Sequence, residues 1–336
     1  MRRWDIIRID SDTIIERMRK LIFVLDADPN VRSNEYGETF VHCMISNSPV
    51  HSSENTRNGL RKLLILFLEC PYFDVNATNA AGFSLLHTLI SKKYDQLDLL
   101  EILLSDPRTN VNIRRATTRY NQYNEMETPL HLVCYSAVLA AGKAKALLER
   151  GANPNAVTAR EGKTPLHILL SNIQFFVRMC STSDMFQVAE VLLEYGANPN
   201  KYDNTFDAPL HIVAAPATPL YSGKLAADFT ALLLRNGGDP LKTNVHDMDA
   251  FDLVQQKMSR SDAAADDNNM QKEVLQRWLD YRQTHYKMLS NRIPSSTKNG
   301  GSPFASLPLD VRRRITYPVF DEPHDNSKNL RFTFDN

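Results

Sequence analysis

Apolar residues in this chain gather into short leucine-rich stretches whose spacing fits one face of a helix, separated by polar phrases of regular composition. Five such stretches are Leu63-Leu64-Ile65-Leu66, Leu99-Leu100-Glu101-Ile102-Leu103-Leu104, Ala146-Leu147-Leu148-Glu149, Val191-Leu192-Leu193-Glu194 and Leu232-Leu233-Leu234-Arg235. Each is preceded by another helical apolar stretch that opens on a version of Thr-Pro-Leu-His, at Thr39, Ser84, Thr128, Thr164 and Ala208. Each is followed by an asparagine-bearing phrase such as Asp74-Val75-Asn76 or Gly151-Ala152-Asn153-Pro154-Asn155. The pattern predicts helix pairs. Thr128 and Thr164 can cap the first helix with a hydroxyl, and Pro129 and Pro165 suit its first turn. Gly151, Gly196 and Gly237 stand where a left-handed residue ends the second helix.

The spacing between units varies, and the variation places the insertions. The five histidines, at 42, 87, 131, 167 and 211, lie 45, 44, 36 and 44 residues apart, against about 33 for a plain unit of this kind. From each histidine to the following asparagine the count is 34, 25, 24 and 33, so units one and four are longer between their two helices. From that asparagine to the next histidine it is 11, 19, 12 and 11, so one loop alone is extended, over 113–127. A sixth, degenerate unit opens at Asp249, with Asp252 where the others carry histidine. Residues 12–25 place Ile14, Ile15, Met18, Leu21, Ile22 and Leu25 at helical spacing, as an amino-terminal cap would. Residues 259–269 read as a polar loop and 271–289 as a closing helix with Val274, Leu275, Trp278, Leu279 and Tyr286.

In the order helix pair, glycine stop and Thr-Pro-Leu-His, residues 12–258 resemble the ankyrin repeat family. The resemblance implies an all-α ankyrin-repeat solenoid of about six helix-turn-helix units with finger loops and capping helices. The expected organisation is an array with its amino-terminal cap over 1–258, a loop and capping helix over 259–289, a linker over 290–305, a short helix over 306–320 and a loose tail over 321–336. A stack of small units builds an extended binding face, so the expected function is protein recognition through fingers and inner helices.

Lys plus Arg total 39 and Asp plus Glu total 39, which leaves no overall field to attract nucleic acid or an anionic membrane. A protein partner, of unknown identity, is the expectation, with the chain itself a monomer. Cys43, Cys70, Cys134 and Cys180 are isolated and read as buried free thiols in a reducing compartment. The run 21–25 is too short for a membrane span, so the chain reads as cytoplasmic, with the nucleus as the alternative. Arg312-Arg313-Arg314 reads as a solvated helix end, three charges being too few to hold nucleic acid well.

The histidines recur one unit apart, too far to share an ion, and read as ties for the turn between finger and helix. We find no nucleotide loop, zinc motif or nucleophile elbow. No catalytic residue, metal or cofactor is expected, and the chain reads as a non-enzyme. The extended finger offers Arg114, Arg115, Arg119, Tyr120 and Tyr123, side-chain types that interfaces favour; the alternative is a solvated loop. Residues 172–184, with Phe175 and Phe176, read as a lengthened first helix of unit four that packs on its neighbour; the alternative is a partner-binding protrusion. Asp74-Val75-Asn76, with Leu68 eight residues before the asparagine, also resembles the site that asparaginyl hydroxylases modify, which makes Asn76 a candidate; the ordinary reading is a turn asparagine.

Leu307-Pro308-x-Asp310-Val311-x-x-x-Ile315 resembles the opening helix of an F-box, the module that docks to the adaptor of a cullin ubiquitin ligase. Leu307-Pro308-Leu309 is also similar to the end of a SOCS box. The resemblance implies ligase docking through Leu307, Pro308, Val311 and Ile315, and a substrate-recruiting subunit that binds a cullin ligase adaptor. Two alternatives stand beside it: these side chains fold back on the last helices, or the chain is a scaffold or inhibitor that masks a signalling protein without ligase recruitment.

Overall fold

The computed structural model describes residues 11–32, 36–46, 54–92, 96–115, 126–135, 140–176, 182–215, 223–260 and 265–290. Thirteen helices account for the regular structure among them, with two isolated bridges, Arg32 to Thr39 and Thr78 to Ser84. Among the described residues, those up to 172 and 182–196 make one compact body, and 173–176 with those of 197–290 make a second.

In the first body α1 (Ser11–Phe23), α3 (Glu54–Glu69), α5 (Leu97–Ser105), α7 (Ala140–Glu149) and α9 (Thr182–Glu194) form a row of second helices, each packed on the next. The shorter first helices α2 (Phe40–Ser46), α4 (Leu85–Ser91) and α6 (Pro129–Val133) form another row. α8 (Pro165–Phe176) opens unit four and runs 12 residues, against five to seven for those three, as expected from its insertion. Unit one is lengthened differently, through a second helix of 16 residues. The core lies between the rows, where Leu64, Leu100, Leu103, Leu147 and Leu192 lose essentially all contact with water. Phe67 stacks on Phe40 at 5.7 Å and meets Phe73 edge-on at 5.3 Å, tying α3 to its own first helix and to the loop after it.

α1 takes the place of a second helix and packs on α3. Ile22 is buried and Ile14, Ile15 and Met18 are half-buried, but Leu21 and Leu25 are exposed, contrary to the apolar face expected over 12–25. The helix stops at Phe23, so the 3.6-residue period no longer directs Leu25 inward.

In the second body α10 (Pro209–Ala214) packs on α11 (Gly223–Arg235) and α12 (Ala250–Arg260), and α13 (Ala265–Ser290) lies along α11 and α12. α13 begins at Ala265, inside the stretch read as a polar loop. Leu275 and Trp278 are buried, and the buried Gln271 donates to the Val213 carbonyl and to Thr230. Residues 291–336, and with them Leu307, Pro308, Val311 and Ile315, lie outside the described residues.

Second-helix ends follow two recipes. Gly151, Gly196 and Gly237 take positive φ of 85°, 87° and 96°. Units one and two carry no glycine there: Arg108 donates to the Leu68 and Cys70 carbonyls at the end of α3, and Thr109 donates to Leu103 O at the end of α5.

Candidate protein-recognition surface

Each loop that joins one unit to the next is a finger with two ends, an asparagine phrase where it starts and a histidine where it returns into a helix. The histidines are fully buried or nearly so. The backbone N–H of Ser84, Thr128, Thr164 and Ala208 donates to Nδ1 of the histidine three residues on, at 2.9 to 3.3 Å. Nδ1 is therefore the acceptor, and Nε2 carries the proton. That proton reaches out of the unit: His42 Nε2 donates to Phe83 O, His87 to Glu127 O, His131 to Lys163 O and His211 to Lys242 O. The ring occupies the place of the reciprocal residue in a capping box and adds a bond to the next finger. The cap hydroxyls serve the ring more than the helix, since Thr164 Oγ1 stands 2.6 Å from Nδ1 but 3.4 Å from the His167 N–H. Burial, only partly offset by the carbonyl bond, pushes His42, His87 and His131 down to about 4.

The asparagine phrases split their work between two residues. The first, Asp74, Asn110, Asn153 or Asn198, accepts from the N–H two residues on and closes a local turn. The second bridges forward with both amide atoms. Asn112 Nδ2 donates to Gly151 O at 3.0 Å while its Oδ1 accepts from Asn153 N–H at 2.7 Å. Asn30 and Asn76 do the same in the first body, and Asn200 in the second. Asn76, the hydroxylation candidate, is thus half-buried with its amide engaged on both sides. Asn112→Ala should lower the unfolding free energy by about 2 kcal/mol, two inter-unit bonds at roughly 1 kcal/mol each. Urea unfolding followed by circular dichroism checks this, and Asn112→Asp, which keeps only the acceptor, should fall between.

The extended finger is tied at its root in both directions. Arg115 N–H donates to Glu127 O at 2.8 Å, closing the loop. The Arg115 guanidinium lies 4.1 Å over the Phe83 ring of the preceding finger and pairs with Glu127. Arg114 donates to Met126 O of its own finger and to Val157 O of the next. Sequence reasoning offered both arginines as partner contacts; the structure engages them in holding the finger. Arg119, Tyr120 and Tyr123 lie outside the described residues.

Remaining groups offer little chemistry. Cys70 and Cys134 are buried, and burial holds the Cys134 thiol well above its ordinary range. Cys43 is only half-buried, contrary to expectation; burial and its bond to Glu38 raise it to about 11. Among the described residues no cluster of His, Cys, Asp and Glu could hold a metal, and no helix is long and apolar enough to cross a membrane.

The ankyrin repeat model matches residues 126–159. A stretch of 66 residues is 41% identical to part of Rabankyrin-5 of Mus musculus and 39% identical to part of Rabankyrin-5 of Homo sapiens, covering 20% of this chain and 6% of either relative. The chain therefore spans only a small fraction of the length of the curated relatives it matches. Among solved structures, the ankyrin repeat domain of Bcl-3, described as a unique member of the IkappaB protein family, superposes with a TM-score of 0.53 at 20% identity, over 72% of this chain and 90% of that one. That likeness is one of fold. Paired helices, capping histidines, bridging asparagines and the match at 126–159 together show that the chain has the ankyrin-repeat fold.

Proposed function

We propose that this chain is a protein-binding module whose extended finger contacts a partner protein. The observation that supports this is the bracing of that finger. Arg114 and Arg115 tie the root of this finger to both neighbouring fingers, and Arg119, Tyr120 and Tyr123 fall between its two ends in the sequence. A braced root lowers the ordering cost of a binding loop. The recurring polar groups serve the framework: the histidine nitrogens and asparagine amides are consumed between units, which leaves recognition to the residues that vary. Ligase recruitment through Leu307, Pro308, Val311 and Ile315 extends this reading on sequence pattern alone; masking of a signalling protein is the alternative.

One purification from cells, with partners identified, tests the reading. Arg119→Ala, Tyr120→Ala and Tyr123→Ala together should remove most of the partner retained by the parent chain without changing its melting temperature. Retention unchanged in that variant would sink the finger as the contact. A cullin adaptor in the parent sample that vanishes with Leu307→Ala plus Ile315→Ala supports ligase recruitment, and its absence from both leaves the masking role.

A further inference from the structure

The residue two before each helix cap lies at a turn that needs left-handed backbone. In three fingers it is glycine, Gly37, Gly82 and Gly162, at φ of 59°, 80° and 66°. In the other three it is Met126, Phe206 and Asp247, at φ of 51°, 59° and 55°. Aspartate tolerates this conformation, whereas a bulky aromatic side chain adopts it at a cost. Phe206 nevertheless leaves more than half its surface, 58%, in water. Fold stability does not account for a phenylalanine at this position, and strain of this kind concentrates where a side chain must be presented.

Its surroundings in the second body form a surface. The Phe206 ring leans on Tyr202 at 6.0 Å, and Lys242 covers Tyr202 with its Nζ at 4.4 Å. Asp207 accepts from Asn244 at 3.1 Å, joining this finger to the next, where Val245 is 61% exposed. Across residues 201–208 and 239–252 stand six aspartates against Lys201 and Lys242; Asp203 is buried, which leaves Asp207, Asp239, Asp247, Asp249 and Asp252 at least partly exposed. An exposed aromatic anchor on two joined fingers that carry this excess of aspartate matches a cationic segment that carries a bulky apolar residue.

We infer that Phe206 and Val245, framed by Asp207 and Asp247, bind a basic, apolar-anchored segment of a partner protein. This rests on the protein-binding reading above but on a different finger. Selection from a displayed library of random short peptides against the full chain tests it, with recovered peptides synthesised and titrated by fluorescence anisotropy. Recovered peptides should be net basic with a bulky apolar residue. Phe206→Gly should weaken them at least about tenfold, as loss of an aromatic anchor does, while its melting temperature holds or rises because the turn then has its preferred residue. Phe206→Asn, which also tolerates the turn, should behave alike, and Asp247→Asn should weaken binding several-fold and flatten its salt dependence. Equal binding by Phe206→Gly, neutral or acidic peptides, or none at all would overturn the inference. Peptides lost only with Arg119→Ala, Tyr120→Ala and Tyr123→Ala would also overturn it yet leave the extended-finger reading standing. That reading fails separately, by the purification.

Discussion

Lowering the pH from 6.5 to 4 should unfold the first body. His42, His87 and His131 titrate at about 4 in the fold, against 6.5 in an unfolded chain. Between those values the unfolded chain binds more protons, so stability is complete above pH 6.5 and falls as pH drops through the window. The gap corresponds to about 3 kcal/mol per histidine, and three together rival the roughly 5–15 kcal/mol that holds an ordinary domain. The bonds show why a proton has no place. In His87 and His131 Nδ1 already accepts from a backbone N–H and faces a hydroxyl, and Nε2 is spent on the next finger. A second ring proton would confront a donor at a buried site. Asp106, held below its usual range by the bonds from Arg108, loses its contribution only at lower pH and does not confuse the window. Urea midpoints measured from pH 7.5 to 4 should decline steeply, and His131→Gln, which keeps a donor and an acceptor but does not ionise, should decline less. Flat midpoints in the parent chain would contradict the assignment.

The repeat was legible because its markers are local. Thr-Pro-Leu-His names helix starts, and leucine periodicity with glycine names second helices and their ends. What the histidines and asparagines do beyond their own turn was not legible, since Phe83 lies 41 residues from His42 and Gly151 lies 39 from Asn112. Asp252 shows the logic from the other side. It and Asp249 exchange bonds as a capping box, but α13 follows and the described residues hold no further finger for a ring to reach, so an aspartate suffices. Composition offered the arginines of the extended finger as partner contacts and did not announce their bonds within the framework. Guanidinium groups suit interfaces and frameworks for the same reason, planar donors on a long stem, and only geometry separates Arg114 and Arg115 from residues carried beyond them. Phe206 escaped notice because the left-handed turn is announced by glycine in three fingers and by nothing in the others.

Arg108→Ala should destabilise the first body by about 3 kcal/mol, far more than a half-exposed arginine ordinarily costs. Its guanidinium closes a helix end that lacks glycine. One terminal nitrogen donates to Cys70 O at 3.0 Å, with longer contacts to Pro71 and Phe73; the other donates to Leu68 O at 2.6 Å. The remaining donors take both oxygens of Asp106, whose side chain is only 8% exposed. The positive charge thus lies at the negative end of α3 while anchored by a carboxylate from its own loop. Removing the side chain orphans the Leu68 carbonyl at the end of α3, since Cys70 O keeps its bond from the Phe73 N–H, and leaves a mostly buried carboxylate without its counter-charge. Lysine keeps the charge but not the planar fork, so Arg108→Lys should recover less than half of the loss. Asp106→Asn should cost about 1 kcal/mol, because the arginine keeps its carbonyls. Urea unfolding gives the totals, and hydrogen exchange places them: in Arg108→Ala protection should fall first in the last turn of α3, whose cap arrives from the following unit. A variant within about 0.5 kcal/mol of the parent chain, with that turn equally protected, would show that α3 ends without this arginine.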